Sequence, residues 1–369
     1  MILISPLLKH VVYPSLSRTG YLRHHAAADS LAIVTYHGVS PSNYRSLDPD
    51  LDGGLVSADS FRRQLRLLKA RYRVISPEEF LQWCQAREPL PARAVLLTCD
   101  DGLRNVLTEM LPILLEEKLK CLFFVTGYSA NDAPSTLWYE ELYLMFLATP
   151  ESIVLELPDL GVRAQVAGRK AKRSLWLNLI TKLSQCDVAT RARLLQEIRM
   201  RLDLSNLWNS FYLEDAAQRS RFLMLDQAEV RRLVAAGMTI GSHTLSHPML
   251  SQLPPEVAWT ELTQSRSTLE RALSSPVWAL AYPFGDAASV TPRETEMAQR
   301  AGYQCAFLNV GGGFGADLPL YALPRVHVTS DMGLAEYEAL VSGLGRSLRE
   351  RFSRLSSSRN EIANSAAAQ

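Results

Sequence analysis

The stretch Ala94-Val95-Leu96-Leu97-Thr98-Cys99-Asp100-Asp101-Gly102 decides how this chain folds. Its opening run, Ala94 to Thr98, is apolar and β-prone and reads as a buried strand, and two carboxylates with a turn-forming glycine follow at the outgoing end. A second stretch has the same build: Met238-Thr239-Ile240 leads to His243-Thr244-Leu245-Ser246-His247. Carboxylates and imidazoles at the exits of two strands stand where α/β folds carry their ligands.

These residue types suit one chemistry. A carboxylate and two neutral imidazoles can hold a divalent metal and leave a coordination position for water, whose pKa the ion lowers toward neutrality. The spacing of His243 and His247 predicts a helical turn with both rings on one side, ended by Pro248. Adjacent Asp100 and Asp101 point in different directions, so one can bind metal while the other takes a proton from the water. Each motif alone has a plainer use: Asp-Asp-Gly is a common turn, and a spaced histidine pair is often solvated or satisfied in a core. Their coincidence at two strand exits favours a site.

Working outward, strand and helix alternate. Leu31 to Thr35 reads as a strand, Ser60 to Lys69 as a helix with Phe61, Leu65 and Leu68 on one face, and Cys121 to Val125 as another buried strand. Arg104 to Glu117 has helical period, with Pro112 forcing a fresh turn or a kink. Asp226-Gln227-Ala228-Glu229 is a capping box for a helix to Ala236, closed by Gly237. Pro255 opens a helix to about Leu273, and Val277 to Ala281 is a strand ending at Tyr282-Pro283-Phe284-Gly285. Pro292 to Ala301 is a helix closed by Gly302, and Gln304 to Leu308 is a strand. Repeated βα units with chemistry at the strand exits predict an α/β fold of the TIM-type (β/α) barrel kind.

The alternation is interrupted between the strand after the acids and the strand before the histidines. Trp138 to Leu147 reads as an apolar helix, Ser152 to Val166 as a hairpin around Pro158-Asp159-Leu160-Gly161, and Lys170 to Leu202 as helical. This mostly helical insertion should emerge near the catalytic rim as a lid or subsite wall. Trp176, Trp208, Phe211 and Tyr212 are candidates for stacking on a bound ligand or for the insertion's own core, and Arg169, Lys170, Lys172 and Arg173 read as a solvated basic face. The expected division is an N-terminal segment (1–29), a barrel (30–127 and 223–332), the insertion (128–222), a C-terminal helix (333–355) and a disordered tail (356–369).

Composition narrows the function. The chain has 369 residues, 47% hydrophobic and 21% charged, enough to bury one large core plus an insertion. A formal charge of +1 leaves no electrostatic footprint for nucleic acid. Cys84, Cys99, Cys121, Cys186 and Cys305 are scattered and odd in number, which suits reduced thiols in a cytoplasmic protein better than a disulfide framework or a thiolate metal site. The apolar start, Met1 to Leu8, is too short for a signal-peptide core or a membrane span. It reads as a segment that packs on the barrel, with peripheral contact to a membrane surface as the other use.

Thr98-Cys99-Asp100-Asp101-Gly102, His243 to His247, Tyr282-Pro283-Phe284-Gly285 and Leu323-Pro324-Arg325 resemble successive motifs of the polysaccharide deacetylases, carbohydrate esterase family 4. Tyr36-His37-Gly38-Val39 resembles the first strand of that family, and Leu122-Phe123-Phe124-Val125 its strand after the acids. The resemblance implies a distorted barrel with fewer strands, seven here, and hydrolysis of the N-acetyl amide of an amino sugar in a polysaccharide, oligosaccharide or lipid-linked precursor. It implies Asp101, His243 and His247 as ligands of a divalent ion, usually Zn2+, and Asp100 as the base. The backbone N–H of Phe284 would hold the oxyanion, and Tyr282, Pro283 and His37 would line the substrate.

The chain departs from the family pattern at three points. Cys99 stands where a Phe is usual, and a small buried thiol there packs rather than reacts. Ala281 stands where many members have an arginine that orients the catalytic Asp, a charge that Arg325 could supply. The late histidine that serves as general acid is matched only with an offset by His327, and His37 competes for the role. The alternatives are an inactive carbohydrate-binding protein on the same scaffold and an amidohydrolase of a small non-sugar amide.

Overall fold

The computed structural model describes residues 4–22, 31–46, 55–86, 89–130, 135–150, 152–204, 213–286, 288–310 and 318–344. Twelve strands occur among them, in chain order β1 (Leu31–Tyr36), β2 (Val39–Ser40), β3 (Val56–Ser57), β4 (Arg73–Ile75), β5 (Ala94–Cys99), β6 (Leu122–Val125), β7 (Ser152–Leu157), β8 (Val162–Ala167), β9 (Thr239–Ser242), β10 (Ala279–Ala281), β11 (Cys305–Phe307) and β12 (Val326–His327). The main sheet follows the order β11-β10-β9-β6-β5-β1-β12, with β4 added beside β5. Every pairing in it is parallel.

The seven-strand path curls until its ends approach. Leu323 bridges Phe307 of β11, with its N–H donating to the Ala306 carbonyl at 2.9 Å, while Val326 and His327 pair with Val34 and Thr35 of β1. The segment from Leu323 to His327 therefore joins the two ends over a few residues, which makes the expected seven-stranded barrel a distorted one.

Both faces of these strands are buried, so their sequences show no polar alternation, yet a period of two sorts the side chains. Leu31, Ile33, Leu96, Phe124, Ala281, Phe307 and Leu323 form the inner layer, closed below by Phe80 and Trp83. Val34, Tyr36, Leu97, Cys99, Phe123, Ile240 and Tyr282 face outward, where helix residues such as Phe61, Leu65, Val230 and Leu262 cover them. Cys99 lies in that outer layer, where burial pushes its thiol well above the usual range, so it packs rather than reacts.

Helices form where the periodicity placed them, with local differences. Asp226 and Glu229 form the capping box, and Gly237 closes that helix at φ +83°. The stretch around Pro112 is a π turn (Val106–Met110) followed by a new helix (Leu111–Glu116), because proline lacks the N–H that an unbroken helix would need there. The helical stretch after Lys170 is two helices, Arg169–Ser184 and Val188–Arg201, since Asp187 accepts from the Thr190 N–H at 2.9 Å and starts a second one.

The residues between β6 and β9 build a core of their own. The helix Trp138–Ala148, the antiparallel pair β7-β8 and the two later helices bury Leu142, Phe146, Leu155, Leu179, Leu194 and Ile198 against one another. Lys172 departs from the expected solvated face: it is buried and donates to the Thr149 carbonyl at 2.9 Å. Trp208, Phe211 and Tyr212, the C-terminal part of the last predicted helix and the predicted tail lie outside the described residues. Tyr13 and Leu22 of the N-terminal segment pack on Ala339 and Leu344, beside the helix Leu334–Val341. Among the described residues no helix is long and apolar enough to cross a membrane.

Gly241 of β9 faces the barrel interior, where an added Cβ would lie 2.5 Å from the Phe124 ring and 3.1 Å from the Ala279 carbonyl. Neither neighbour has room to yield. Gly241→Ala should destabilise the protein by about 1–3 kcal/mol through overpacking, read as a lower urea midpoint at unchanged slope.

Candidate active site

Strand parity aims the first acid. Asp100 continues the inward set of Leu96 and Thr98, and its N–H still donates to the Tyr36 carbonyl at 2.9 Å. The chain then turns sharply, with φ +73° at Asp101 and +66° at Gly102. Only glycine fits the second position, because a Cβ there would lie 2.9 Å from Val125.

The histidines reach the same place by an unexpected route. The residues from His243 to His247 form no helical turn: Thr244 and His247 take φ values of +63° and +58°. The Glu261 carboxylate draws the backbone out of a helix by accepting from the N–H groups of Leu245 and Ser246, both at 2.9 Å, and from the Ser246 hydroxyl at 2.6 Å. A side-chain acceptor competes here with the helical carbonyl, so the turn predicted from spacing is replaced by an irregular loop and Pro248 ends nothing.

Asp101, His243 and His247 converge. Each ring Nε2 lies 3.4 Å from Asp101 Oδ1, one potential ligand atom from each residue falls within 4.8 Å of the others, and all three residues are buried. A separation of 3.4 Å is long for a direct N–H···O bond. It matches the edge of a tetrahedron around an ion with bonds of about 2.0–2.1 Å, which is roughly 3.3–3.4 Å. His243 Nδ1 sits 2.8 Å from the Ala281 carbonyl, which turns Nε2 toward the cluster. Burial opposes the Asp101 charge, but the two rings overcome it and hold the carboxyl well below its usual range. Burial also disfavours charge on both rings, and with Asp101 and Asp100 beside it His243 alone is raised while His247 is lowered. This donor set fits a divalent ion.

Asp100 stands beside the cluster as half of a buried ion pair. Arg325 Nη1 and Nη2 donate to its two oxygens at 2.7 and 2.6 Å, and Arg325 is 0% exposed, so no water screens the pair. Burial alone would raise the Asp100 carboxyl, but the guanidinium wins and holds it below the ordinary value. Arg325 thus makes the contact that Ala281 cannot.

The other predicted residues are distributed unevenly. Phe284 takes φ +63° with its ring 5.3 Å from that of His247, and its N–H has no main-chain acceptor among the described residues. Gly285 beneath it touches Asn309, whose Oδ1 is buried with no hydrogen-bond partner among the described residues. Tyr282 borders the chamber, while parity turns its ring to the outer layer, where the hydroxyl donates to the Tyr321 carbonyl at 3.1 Å. Pro283 is buried in the loop and its carbonyl accepts from Gly285. His37 and His327 stack at 4.7 Å, but His37 borders the chamber with all three clustered residues, and His327 only an adjoining one. Burial and the neighbouring His37 push His327 down to about 4.

Two residues of the insertion that sequence reasoning gave no such place also wall the chamber. Tyr139 lies with its ring 5.2 Å from His247, and burial with the Asp101 charge pushes its phenol well above the ordinary value. Ile180 joins it, beside the anticipated Trp176. Tyr139 and Ile180 read as core positions of amphipathic helices, so no local signal marked them.

An open-ended barrel with a buried carboxylate and imidazole cluster at its strand exits defines a class of enzyme-like sites, and the comparisons place it. The family model described as polysaccharide deacetylase matches residues 87–143 and 208–306 of the chain. A curated relative, YxkH of Bacillus subtilis (strain 168), whose name assigns it to the polysaccharide deacetylases, is 25% identical over 120 residues. That match covers 32% of this chain and 42% of the relative, so the chain spans less than half the length of that protein. Among solved structures, the deacetylase PplD of Streptococcus pyogenes in complex with acetate is 18% identical with a TM-score of 0.51, over 83% of this chain and 96% of that one. IcaB of Ammonifex degensii is 19% identical with a TM-score of 0.52, over 86% and 98%. At these identities the structural likeness is one of fold.

Arg325→Met would leave the Asp100 charge buried without its partner, and should cost about 3–5 kcal/mol in unfolding free energy by chemical denaturation. Folding favours the neutral form of His327, which titrates at about 4 against an ordinary 6.5. That contribution is complete above pH 6.5 and is lost as pH falls toward 4. His327→Gln should flatten this limb when urea midpoints are followed across the same range.

Proposed function

We propose that this protein is a metal-dependent N-deacetylase that hydrolyses the N-acetyl amide of an amino sugar, releasing acetate and a free amine. The substrate class is a polysaccharide, an oligosaccharide or a lipid-linked glycan precursor. The observation that carries the reading is the convergence of Asp101, His243 and His247 beside a second, arginine-held carboxylate. Five unpaired cysteines accord with a reducing, cytoplasmic setting.

Asp101, His243 and His247 would hold the ion, and Zn2+ suits one carboxylate with two imidazoles. When bound, the ion lowers the pKa of water and polarises a carbonyl. Asp100 takes the proton of the attacking water, and Arg325 keeps it ionised and aimed. The Phe284 N–H donates to the amide oxygen as negative charge gathers there. Breaking the C–N bond requires a proton on the leaving nitrogen, and His37, on the chamber wall, is better placed than His327 to deliver it. Trp176 from the insertion forms a wall for the sugar. The barrel (30–127 and 223–332) would then supply the chemistry and the insertion (128–222) the subsite.

The reading of an inactive scaffold drew its motive from Ala281 and from the offset late histidine, and Arg325 on Asp100 weakens the first of these. The test is acetate release from N-acetylhexosamine polymers, oligomers, lipid-linked sugars and small non-sugar amides, with EDTA and zinc add-back. Release from a sugar substrate should be lost with EDTA, restored by zinc, and lowered about 10²–10⁴-fold by Asp100→Asn with metal still bound. Release from small amides alone would favour the amidohydrolase, and no release from any substrate would overturn the proposal.

A further inference from the structure

The loop that carries His247 is gripped from two sides. Its amides are held by the barrel, since the Leu245 and Ser246 N–H groups donate to Glu261 on the helix Pro255–Leu273. The barrel also holds the Thr244 carbonyl, through the Ser265 hydroxyl, but the last two carbonyls of the loop are held by the insertion. Trp138 Nε1 donates to the His247 carbonyl at 3.0 Å, and Arg191 Nη2 donates to the Ser246 carbonyl at 3.1 Å. Arg191 also lies over the Trp138 ring at 4.9 Å, both side chains are buried, and Tyr139 sets its ring 5.2 Å from the His247 ring.

A grip of this kind is needed. His247 and Thr244 both hold left-handed backbone conformations, which persist only when the surroundings over-determine them. The His247 carbonyl is fixed by one insertion residue, its ring is packed by the next, and the preceding carbonyl is fixed by a third. His247 Nδ1 has no partner among the described residues, so nothing there holds the ring through its second nitrogen, and its aim rests on the backbone and on packing.

We infer that the insertion is a fixed component of the metal centre, with Trp138, Arg191 and Tyr139 acting as positioning residues for His247, and is not a lid that opens on hinges. A lid would have to break the Trp138 and Arg191 bonds and release one of the three ligands each time it moved. This rests on the metal-site reading above, and deepens it by giving the inserted segment a part in ligand geometry.

The test is Co2+ binding to the full-length protein, followed by competition with a chromophoric chelator and by the visible d–d spectrum. Trp138→Phe keeps the aromatic mass and removes the donor, and Tyr139→Leu removes the ring packed on His247. Each should weaken Co2+ binding about 10–100-fold and shift the d–d bands. Leu179→Ala, in the insertion core away from the loop, serves as the control: it should lower thermal stability and leave the affinity and the spectrum as in the wild type. If wild type binds Co2+ and the Trp138→Phe and Tyr139→Leu variants bind it equally well with unchanged spectra, the inference fails while the metal site stands. A Leu179→Ala shift as large as that of Trp138→Phe would trace the effect to general loosening and overturn it too. A wild type that binds no Co2+ removes the metal site and the inference together.

Discussion

The buried pair of Arg325 and Asp100 links the fold to its chemistry. The guanidinium uses its Nε on the Leu308 carbonyl, an Nη1 hydrogen on Thr98 and the remaining contacts on the two Asp100 oxygens, while Phe124 and Phe307 pack within 6 Å of it. It therefore ties the segment that joins the ends of the sheet to the strand that bears both acids. Such a pair adds little net stability, because desolvating two charges offsets most of their attraction. Its value lies in geometry. An Asp100 without this partner would be pushed toward its neutral form by burial, and a neutral acid cannot take a proton from water.

Strain is concentrated at the same rim. Asp101, Thr244, His247 and Phe284 all have positive φ without being glycine, and they account for half of the eight such residues described. Each is at an exit of β5, β9 or β10, where the chain leaves the ladder and must turn a side chain or an amide toward one small chamber. Their conformations are held from outside the loops, by Glu261, by the insertion, and by Asn309 under the turn at Gly285. The barrel supplies a rigid base, and its neighbours bend the loop ends into place.

Much of this was legible in the chain itself. The apolar runs at Ala94 and Leu122, the capping box at Asp226 and the Asp-Asp-Gly and His-x-x-x-His motifs are local signals, and they placed the strands, the helix starts and the cluster of Asp101, His243 and His247. The spacing of the two histidines was misleading about its own backbone, since it matches a helical turn that Glu261, on the following helix, displaces. Tyr282 stands at the chamber, as its motif position at a strand exit implies, while the alternation of β10 turns its ring to the outer layer.

What the sequence alone determined is whatever depends on neighbours in the chain: period, caps, turns and the chemical types at strand ends. What the tertiary structure decided depends on partners remote in sequence. Arg325 reaches an acid 225 residues away, and Trp138 reaches the His247 carbonyl across 109. Hydrogen bonds and ion pairs at such separations leave no periodic trace in a single sequence, because they are specified by where two surfaces meet after folding.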